Sequence, residues 1–206
     1  MMAIEMLLND PTNSYLLFVP GKTNDVVIGV PHHAPLGIQS LPCESHPSSD
    51  ENTGFIGYQL AQLLDCSCII AGNYFLDANK LKGSDYFKKI ESLQPRILIE
   101  IHGHSSRNAN YDIEISSGTV EKTVWSEVLS KKLRIAMENN PGLRSYSISG
   151  DFAKIYFKAR KSLTINTDSW LAFHIELPQK LRESKDEYEP FCKVLGEIIK
   201  ELVGLL

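Results

Sequence analysis

The stretch that most constrains the fold is residues 97–105, Ile-Leu-Ile-Glu-Ile-His-Gly-His-Ser. A run this rich in isoleucine predicts a strand that is buried on both faces, as in the interior of a parallel sheet. Because side chains alternate along a strand, Glu100, His102 and His104 project to one face. Three ionisable groups at the carboxyl end of such a strand favour a metal or acid/base site over a histidine that is satisfied within the core.

Polar side chains also belong to two other apolar strands. His32 and His33 end the second predicted strand, and His174 and Glu176 lie in the last one. The carboxyl ends of parallel strands meet at one edge of a sheet, so these groups can converge on the central cluster. Residues 35–50, rich in proline and serine, predict a loop that is long for a compact domain, and such a length indicates a loop at a functional site.

Helices and strands alternate through the first two thirds of the chain. The spacing of apolar residues predicts helices over 53–64, 84–93, 123–139 and 188–206, further strands over 14–19, 26–30, 67–71, 111–115, 163–165 and 171–177, and one or two short strands within 144–157. Such alternation is typical of β-α-β units in a largely parallel sheet. Since no linker or regular repeat interrupts the pattern, we predict one α/β domain over residues 1–206.

Composition excludes several classes of protein. A net charge of −4 and the lack of a basic stripe with interleaved aromatic residues argue against a nucleic-acid partner. No run approaches the roughly 18 apolar residues of a spanning helix, so no membrane partner is expected. The first residues lack the basic start of a signal peptide, and the four cysteines form no Cys-x-x-Cys pair. We therefore expect a cytoplasmic protein with a small-molecule substrate, and the oligomeric state stays open.

The polar clusters together describe a catalytic zinc site. Two imidazoles and one carboxylate leave an open position on the metal and enough positive charge to acidify a bound water. A further glutamate beside that water can take its proton, and Glu176 suits this role. The chain has no Gly-x-Ser-x-Gly elbow, P-loop or Gly-x-Gly-x-x-Gly motif. Their absence argues against the common serine hydrolases and the common nucleotide-binding and dinucleotide-binding proteins.

Five short motifs in a fixed order resemble those of the N-formylglutamate amidohydrolase family. They are Val-Ile-Gly-Val-Pro-His at 27–32, Asp50-Glu51 before a helix, Leu-Asp-Ala-Asn-Lys at 76–80, Ile-Glu-Ile-His at 99–102 and Ile-Glu-Leu at 175–177. The family shows strand-Pro-His-Ser-Gly, an acidic site, Asp-x-Asn-Arg, Asp-x-His-Ser and a late Glu in the same order. The resemblance covers most of residues 26–182.

The resemblance implies a zinc-carboxypeptidase-like (phosphorylase/hydrolase-like) fold, in which a three-layer arrangement holds a mixed, mostly parallel sheet between helices. It also implies a zinc-dependent amidohydrolase that cleaves an amide bond of a small N-acylated amino acid or another carboxylate-bearing substrate. Carried over residue by residue, it makes His32, Glu51 and His102 the ligands of one Zn²⁺ per chain. Glu176 becomes the general base.

The same resemblance assigns the substrate carboxylate to Asn79 and Lys80. Lys80 stands where the family has Arg, so a bidentate fork is replaced by a point charge. Arg107, in the loop beyond the central strand, either supplies the missing cation or is solvated. Other acyl-amino-acid, peptide or ester substrates therefore stay open, as does a binding protein on the same scaffold that holds a peptide or carboxylate without cleaving it.

Two further positions depart from the family pattern. His33 replaces Ser and is assigned to the substrate, which leaves the choice of ligand between His32 and His33 open, although the Pro-His alignment favours His32. Glu100 replaces Asp, and we assign it to the orientation of an imidazole rather than to the metal. We likewise assign His104 to the residues that surround the metal ligands rather than to the ligands themselves.

Overall fold

The computed structural model describes residues 2–105 and 107–204. Its helices are α1 (Met2–Leu8), α2 (Thr53–Leu64), α3 (Asp85–Leu93), α4 (Thr123–Glu138), α5 (Gln179–Arg182) and α6 (Lys185–Val203). Its strands are β1 (Tyr15–Val19), β2 (Thr23–Ala34), β3 (Asp50–Glu51), β4 (Cys66–Gly72), β5 (Ile97–His104), β6 (Ile113–Ser116), β7 (Ile148–Ser149) and β8 (Leu171–Pro178). The predicted long helices are confirmed to within a few residues.

The strands form one eight-stranded sheet with the order β1-β4-β2-β5-β8-β6-β7, and β3 pairs with the end of β2. Strands β4, β2, β5 and β8 run parallel to one another, whereas β1 and β6 run antiparallel to β4 and β8. The four parallel strands are the apolar runs of the sequence, because a strand covered on both faces needs apolar side chains on both. The predicted mixed, mostly parallel sheet is confirmed.

Helices cover both faces of the sheet. On one face α2, α4 and α6 pack through residues such as Ile56, Leu129 and Leu195, all fully buried. On the other face α3 packs through Tyr86 and Ile90. In this three-layer α/β arrangement, the cluster predicted from residues 97–105 lies at the carboxyl ends of the parallel strands.

Three sequence-based predictions differ from the structure. Helix α1 was not expected, and it is anchored by the fully buried side chain of Leu8. No strand forms over 163–165, because the Thr164 carbonyl accepts the indole N–H of Trp170 at 2.8 Å and its hydroxyl donates to Glu100 at 2.7 Å. The last helix begins at Lys185 rather than at 188, and residues 205–206 of that prediction lie outside the described residues.

Within the described residues, none of the helices combines the length and the apolar character that crossing a membrane requires.

Helix α2 approaches the sheet closely at Gly57. A methyl group at this position would overlap Val30 Cγ2 and contact Ile28 Cγ2 at 3.5 Å. By contrast, a methyl group at Gly83 would meet no described atom within 4 Å. Glycine thus sets the distance between α2 and β2, the strand that carries His32.

We expect Gly57→Ala to destabilise the fold by about 1–3 kcal/mol, because overpacking at Val30 outweighs the gain in helix propensity. The matched variant Gly83→Ala should stay within about 0.5 kcal/mol of wild type or become more stable. Urea denaturation of both variants measures the two free energies of unfolding. A Gly57→Ala protein at least as stable as Gly83→Ala would contradict the packing described above.

Candidate metal centre

The carboxyl ends of β2, β5 and β8 meet at one cavity of about 1180 Å³. Its wall includes His32 from β2, His102 from β5 and both His174 and Glu176 from β8, while the short strand β3 adds Asp50. Polar clusters separated by more than a hundred residues in sequence therefore share one site, as parallel strand ends in an open sheet require.

His32, Asp50 and His102 form the centre of this site, and all three are buried. Asp50 Oδ2 lies 3.0 Å from His102 Nδ1 and 3.4 Å from His32 Nδ1. Two ligand atoms on a tetrahedral zinc ion stand about 3.3 Å apart, given bonds of about 2.0 Å. Each imidazole nitrogen thus lies about as far from the carboxylate oxygen as two ligands of one zinc ion would, and the three ligand atoms lie within 4.8 Å of one another.

The second nitrogen of each imidazole faces a different carboxylate. His32 Nε2 donates to Asp77 Oδ1 at 3.1 Å, and His102 Nε2 donates to Glu100 Oε2 at 3.4 Å. In metal sites a ligating histidine typically donates its other ring N–H to a carboxylate, which fixes the ring and raises the basicity of the ligating nitrogen. Both rings are therefore oriented with Nδ1 toward Asp50.

Several buried polar atoms of the site lack hydrogen-bond partners among the described residues. They are His32 Nδ1, His46 Nε2, His174 Nδ1, Glu176 Oε2 and Asn79 Oδ1. A buried polar atom without a partner costs about 1–3 kcal/mol, so such atoms are rare unless an ion, a water or a substrate meets them. The donor set and these atoms together fit a zinc ion.

Two other groups of side chains also have the composition of a metal site. They are His32, His46 and Asp77, and Glu100, His102 and His174. In the first, Lys80 Nζ donates to Asp77 at 2.8 Å and adds a positive charge. In the second, Glu100 already accepts hydrogen bonds from Tyr86, Thr164 and Asn79. The Asp50 carboxylate, by contrast, has two close ion-pair contacts, and both are with imidazole nitrogens.

The electrostatics of the centre are dominated by Asp50. Burial alone would raise the pKa of Asp50, but the hydrogen bond from His102 and the close approach of His32 hold that pKa well below the usual range. Burial alone would lower the pKa of His102, but Asp50 and Glu100 raise it to about 10. A cation is therefore favoured between the carboxylates, and a metal ion at Nδ1 must displace the proton that His102 carries.

Glu176 lies directly opposite His102 in the pairing of β5 with β8. Its Oε1 accepts a hydrogen bond from His174 Nε2 at 2.9 Å, while Oε2 has no hydrogen-bond partner in the described chain. Burial raises the pKa of Glu176, but the bond from His174 and the charge of His102 lower it below its ordinary value. Glu176 is thus an ionised carboxylate with one oxygen available to take a proton.

The structure places Asp50, and not Glu51, beside the two imidazoles. Glu51 is half-buried, and its Oε2 accepts the backbone N–H of Gly37 at 2.8 Å. Adjacent residues of a strand project to opposite sides, so β3 can direct only one of the two acids to His32 and His102. Among the described residues, Asp50 and not Glu51 is therefore grouped with His32 and His102, although the sequence-based prediction names Glu51 as the ligand.

His33 points away from the cavity, where it is fully buried. Its Nδ1 accepts the backbone N–H of Gly54 at 3.1 Å, and its Nε2 donates to the Leu8 carbonyl at 3.0 Å. Both ring nitrogens are thus used by the backbone, which favours His32 as the ligand and removes His33 from the substrate. Burial lowers the pKa of His33 to about 4.

Of the other predicted site residues, Asn79, Lys80, His104 and Arg107 line the cavity, whereas the fully buried Glu100 does not. Asn79 Nδ2 donates to Glu100 Oε2 at 3.1 Å, which leaves its buried Oδ1 directed to the site. Lys80 is held by Asp77, whereas Arg107 is exposed at the rim. His104 forms part of the wall, where its Nε2 donates to the Asp112 carbonyl at 2.9 Å.

Sequence reasoning missed two contributors to the site. His46, from the proline-rich loop, stacks on His32 with ring centroids 3.8 Å apart. The length of that loop indicates a functional site but does not single out His46. Arg182 is buried, and its guanidinium donates to the backbone carbonyls of Glu51, Leu177 and His104. Its partners are all backbone atoms, so no pattern of residue types reveals this role.

Comparison by sequence finds no matching family model and no matching curated protein. Solved structures do match. A bacteriophage poly-gamma-glutamate hydrolase matches with a TM-score of 0.59 and 12% identity over 100% of this chain and 97% of its own. An N-formylglutamate amidohydrolase from Ralstonia eutropha JMP134 matches with a TM-score of 0.54 and 10% identity over 92% and 97%. The amidase AmiC2 of Nostoc punctiforme, an N-acetylmuramoyl-L-alanine amidase, matches with 0.50 and 14% over 90% and 99%.

At these identities the similarities establish the fold alone. The structural neighbours of this chain nevertheless include an N-formylglutamate amidohydrolase, the family whose motifs the sequence resembles. The α/β fold predicted from that resemblance is confirmed.

The buried His33 predicts a loss of stability on acidification. Its pKa is about 4 in the folded state and 6.5 ordinarily, so between these values the unfolded chain binds a proton that the folded chain does not. The contribution of His33 is fully present above pH 6.5 and declines as the pH falls toward 4. We expect it to cost about 2 kcal/mol between pH 7 and pH 5.

Urea denaturation of wild type and His33→Gln at pH 7 and pH 5 measures this contribution. We expect the variant to be less stable than wild type at both pH values. Its free energy of unfolding should, however, fall by about 2 kcal/mol less than that of wild type between pH 7 and pH 5. An equal pH dependence in the two proteins would show that His33 titrates normally in the folded state.

Proposed function

We propose that the protein is a zinc-dependent hydrolase that cleaves an amide bond of a small N-acylated amino acid or another carboxylate-bearing substrate. One observation carries the proposal: the buried His32-Asp50-His102 cluster lies beside Glu176, an ionised carboxylate with one unpartnered oxygen. A metal site with a free base next to it is the arrangement that metal-assisted hydrolysis requires. The matching structures include a poly-gamma-glutamate hydrolase, an N-acetylmuramoyl-L-alanine amidase and an N-formylglutamate amidohydrolase, and this supports the choice of reaction.

His32 Nδ1, Asp50 and His102 Nδ1 would hold one Zn²⁺ per chain. When bound, the zinc ion supplies a Lewis acid that polarises the substrate carbonyl and acidifies water. Asp77 and Glu100 accept the Nε2–H groups of the two histidines and keep their Nδ1 atoms available. A catalytic site keeps a position open for water and substrate, and three protein ligands leave that position.

Glu176 would act as the general base. Its Oε2 takes a proton from the attacking water and later returns it to the leaving nitrogen of the amide. His174 fixes the carboxylate through the hydrogen bond to Oε1, so that Oε2 remains directed to the site. Burial of both side chains keeps bulk water from competing for this proton.

Asn79 and the nearby cations would bind the substrate. The Asn79 Oδ1 atom is a buried acceptor suited to an N–H group of the substrate. Lys80 is half-exposed and shares Asp77, so it offers a point charge to a carboxylate. Arg107 offers the planar fork that Lys80 lacks.

The ligand set is tested by metal content. We expect about one zinc per chain in wild type and in Glu51→Gln by elemental analysis, because Glu51 bonds to the Gly37 backbone. Asp50→Asn and His102→Ala should lose the metal, since each removes one of three ligands. Retention in Asp50→Asn with loss in Glu51→Gln would restore the sequence-based assignment. A wild-type protein that takes up no zinc would leave the binding-protein hypothesis as the better account.

The role of Glu176 is tested by turnover. Glu176→Gln should reduce kcat by a factor on the order of 10²–10⁴ with zinc still bound. The reason is that a glutamine side chain cannot accept the proton of the attacking water. Release of free amine from a panel of N-acyl amino acids, N-formylglutamate and acidic peptides measures the rate. Unchanged turnover of a verified substrate by the Glu176→Gln protein would exclude Glu176 as the base.

A further inference from the structure

The cavity is rich in positive charge although the chain as a whole carries −4. Its wall holds six cationic side chains, Lys80, Arg107, Lys158, Arg160, Lys161 and Arg182, against three carboxylates, Asp50, Glu51 and Glu176. Asp50 and Glu176 belong to the proposed metal centre. The cations of this acidic protein are therefore gathered around a site whose own carboxylates are already assigned.

Four of these cations are available to a ligand. Lys80 pairs with Asp77, and Arg182 is buried against backbone carbonyls. Arg107, Lys158, Arg160 and Lys161 have no ion pair with any described carboxylate. Lys158 and Arg160 both lie 5.4 Å from the centre of the Phe152 ring, so a shared aromatic side chain holds them together.

Three of the four belong to one segment, residues 156–162, which we call the cationic segment. Its start is fixed by Glu114, whose Oε2 accepts the backbone N–H groups of Tyr156 and Phe157 at 2.8 Å each. Its end is fixed by the Leu163 N–H, which donates to the Asn79 carbonyl at 2.8 Å. Ala159 within it has a φ of 51°, in the left-handed region that an alanine rarely adopts. The cations therefore project from a constrained backbone beside Asn79.

The size of the cavity exceeds the need of a small substrate. Pockets for drug-sized ligands measure about 300–1,000 Å³, whereas this cavity has about 1180 Å³. An N-acylated amino acid carries one or two carboxylates, which Arg107 and the charge that Lys80 shares with Asp77 would suffice to bind. The cationic segment then has no partner unless the substrate continues past the metal centre.

We infer that the substrate is an extended acidic polyamide, a peptide-like chain with several carboxylates that lie along the cationic segment. This inference rests on the proposed function, because the cleaved amide would lie at Glu176 and the carboxylates beside it. A nucleic acid fits less well, since binding of single strands uses free aromatic faces. Here Phe157 is stacked on His104 with ring centroids 5.4 Å apart, so the exposed Tyr156 is a single ring in this segment and offers no row of faces for successive bases.

The test measures binding without cleavage. Zinc-treated Glu176→Gln protein is titrated against a fluorescein-labelled oligo-L-glutamate, and fluorescence anisotropy gives Kd. The triple variant Lys158→Gln, Arg160→Gln, Lys161→Gln should raise Kd about tenfold, as three solvent-accessible ion pairs of typical strength would together produce. The effect should shrink at high salt because exposed charges are screened.

A matched triple variant, Lys131→Gln, Arg134→Gln, Lys200→Gln, removes the same charges from exposed positions of α4 and α6 outside the cavity. It should leave Kd within about twofold of the Glu176→Gln protein, since distant surface charges are screened. Equal loss in both triple variants, or no binding of oligo-L-glutamate at all, would overturn the inference. Equally tight binding of a fluorescein-labelled oligonucleotide or of polyphosphate would overturn the choice of a polyamide.

Failure of the proposed function gives a different pattern. A protein that takes up no zinc but binds the oligo-L-glutamate through the cationic segment would retain the acidic ligand and lose the hydrolysis. A zinc protein that cleaves N-acyl amino acids, but whose Kd for the oligomer is the same in both triple variants, would retain the hydrolysis and lose the extended substrate. Arg107→Gln provides a second, single-site variant, for which we expect a rise in Kd of about threefold.

Discussion

The interaction on which the site depends is the contact of Asp50 with two imidazoles in a buried environment. An isolated buried carboxylate costs several kcal/mol, so the Asp50 side chain is tolerated only where His32 and His102 approach it. That contact requires β2 and β5 to be neighbours and β3 to pair with the end of β2. The order of the strands in the sheet therefore determines whether the Asp50 carboxylate can meet the two imidazoles.

A second layer of carboxylates holds the imidazoles in place and ties them to the rest of the fold. Glu100 is fully buried, yet its two oxygens accept hydrogen bonds from Tyr86 of α3, from Thr164 and from Asn79 in addition to His102. These bonds connect α3 and two loops to the central strand. Because one buried charge satisfies four partners, a change at any of them alters the orientation of His102.

Regular patterns made the central part of this structure predictable, and local pairings made the rest unpredictable. The isoleucine-rich run before His102 predicts strand β5, and the spacing of apolar residues over 53–64 predicts helix α2. In both segments the apolar residues of the sequence pattern are the residues that pack in the core. The choice between Asp50 and Glu51 depends on how a two-residue strand pairs with β2, which no periodicity records. The anchoring of Arg182 to backbone carbonyls likewise leaves no trace in residue types.

Opposite charges occupy different parts of the cavity, and this separation would allow one site to hold the proposed metal ion and the proposed anionic substrate. The carboxylates of Asp50 and Glu176 are buried at the strand ends, where they favour a cation. The cationic segment lies around them on a loop that Glu114 and Asn79 anchor. Cations at the rim of a cleft steer anions toward it and raise the rate of association, whereas the same cations at the centre would repel the metal. If the proposed function holds, the anchoring of residues 156–162 would keep the cations close enough to bind the substrate without reaching the metal ligands.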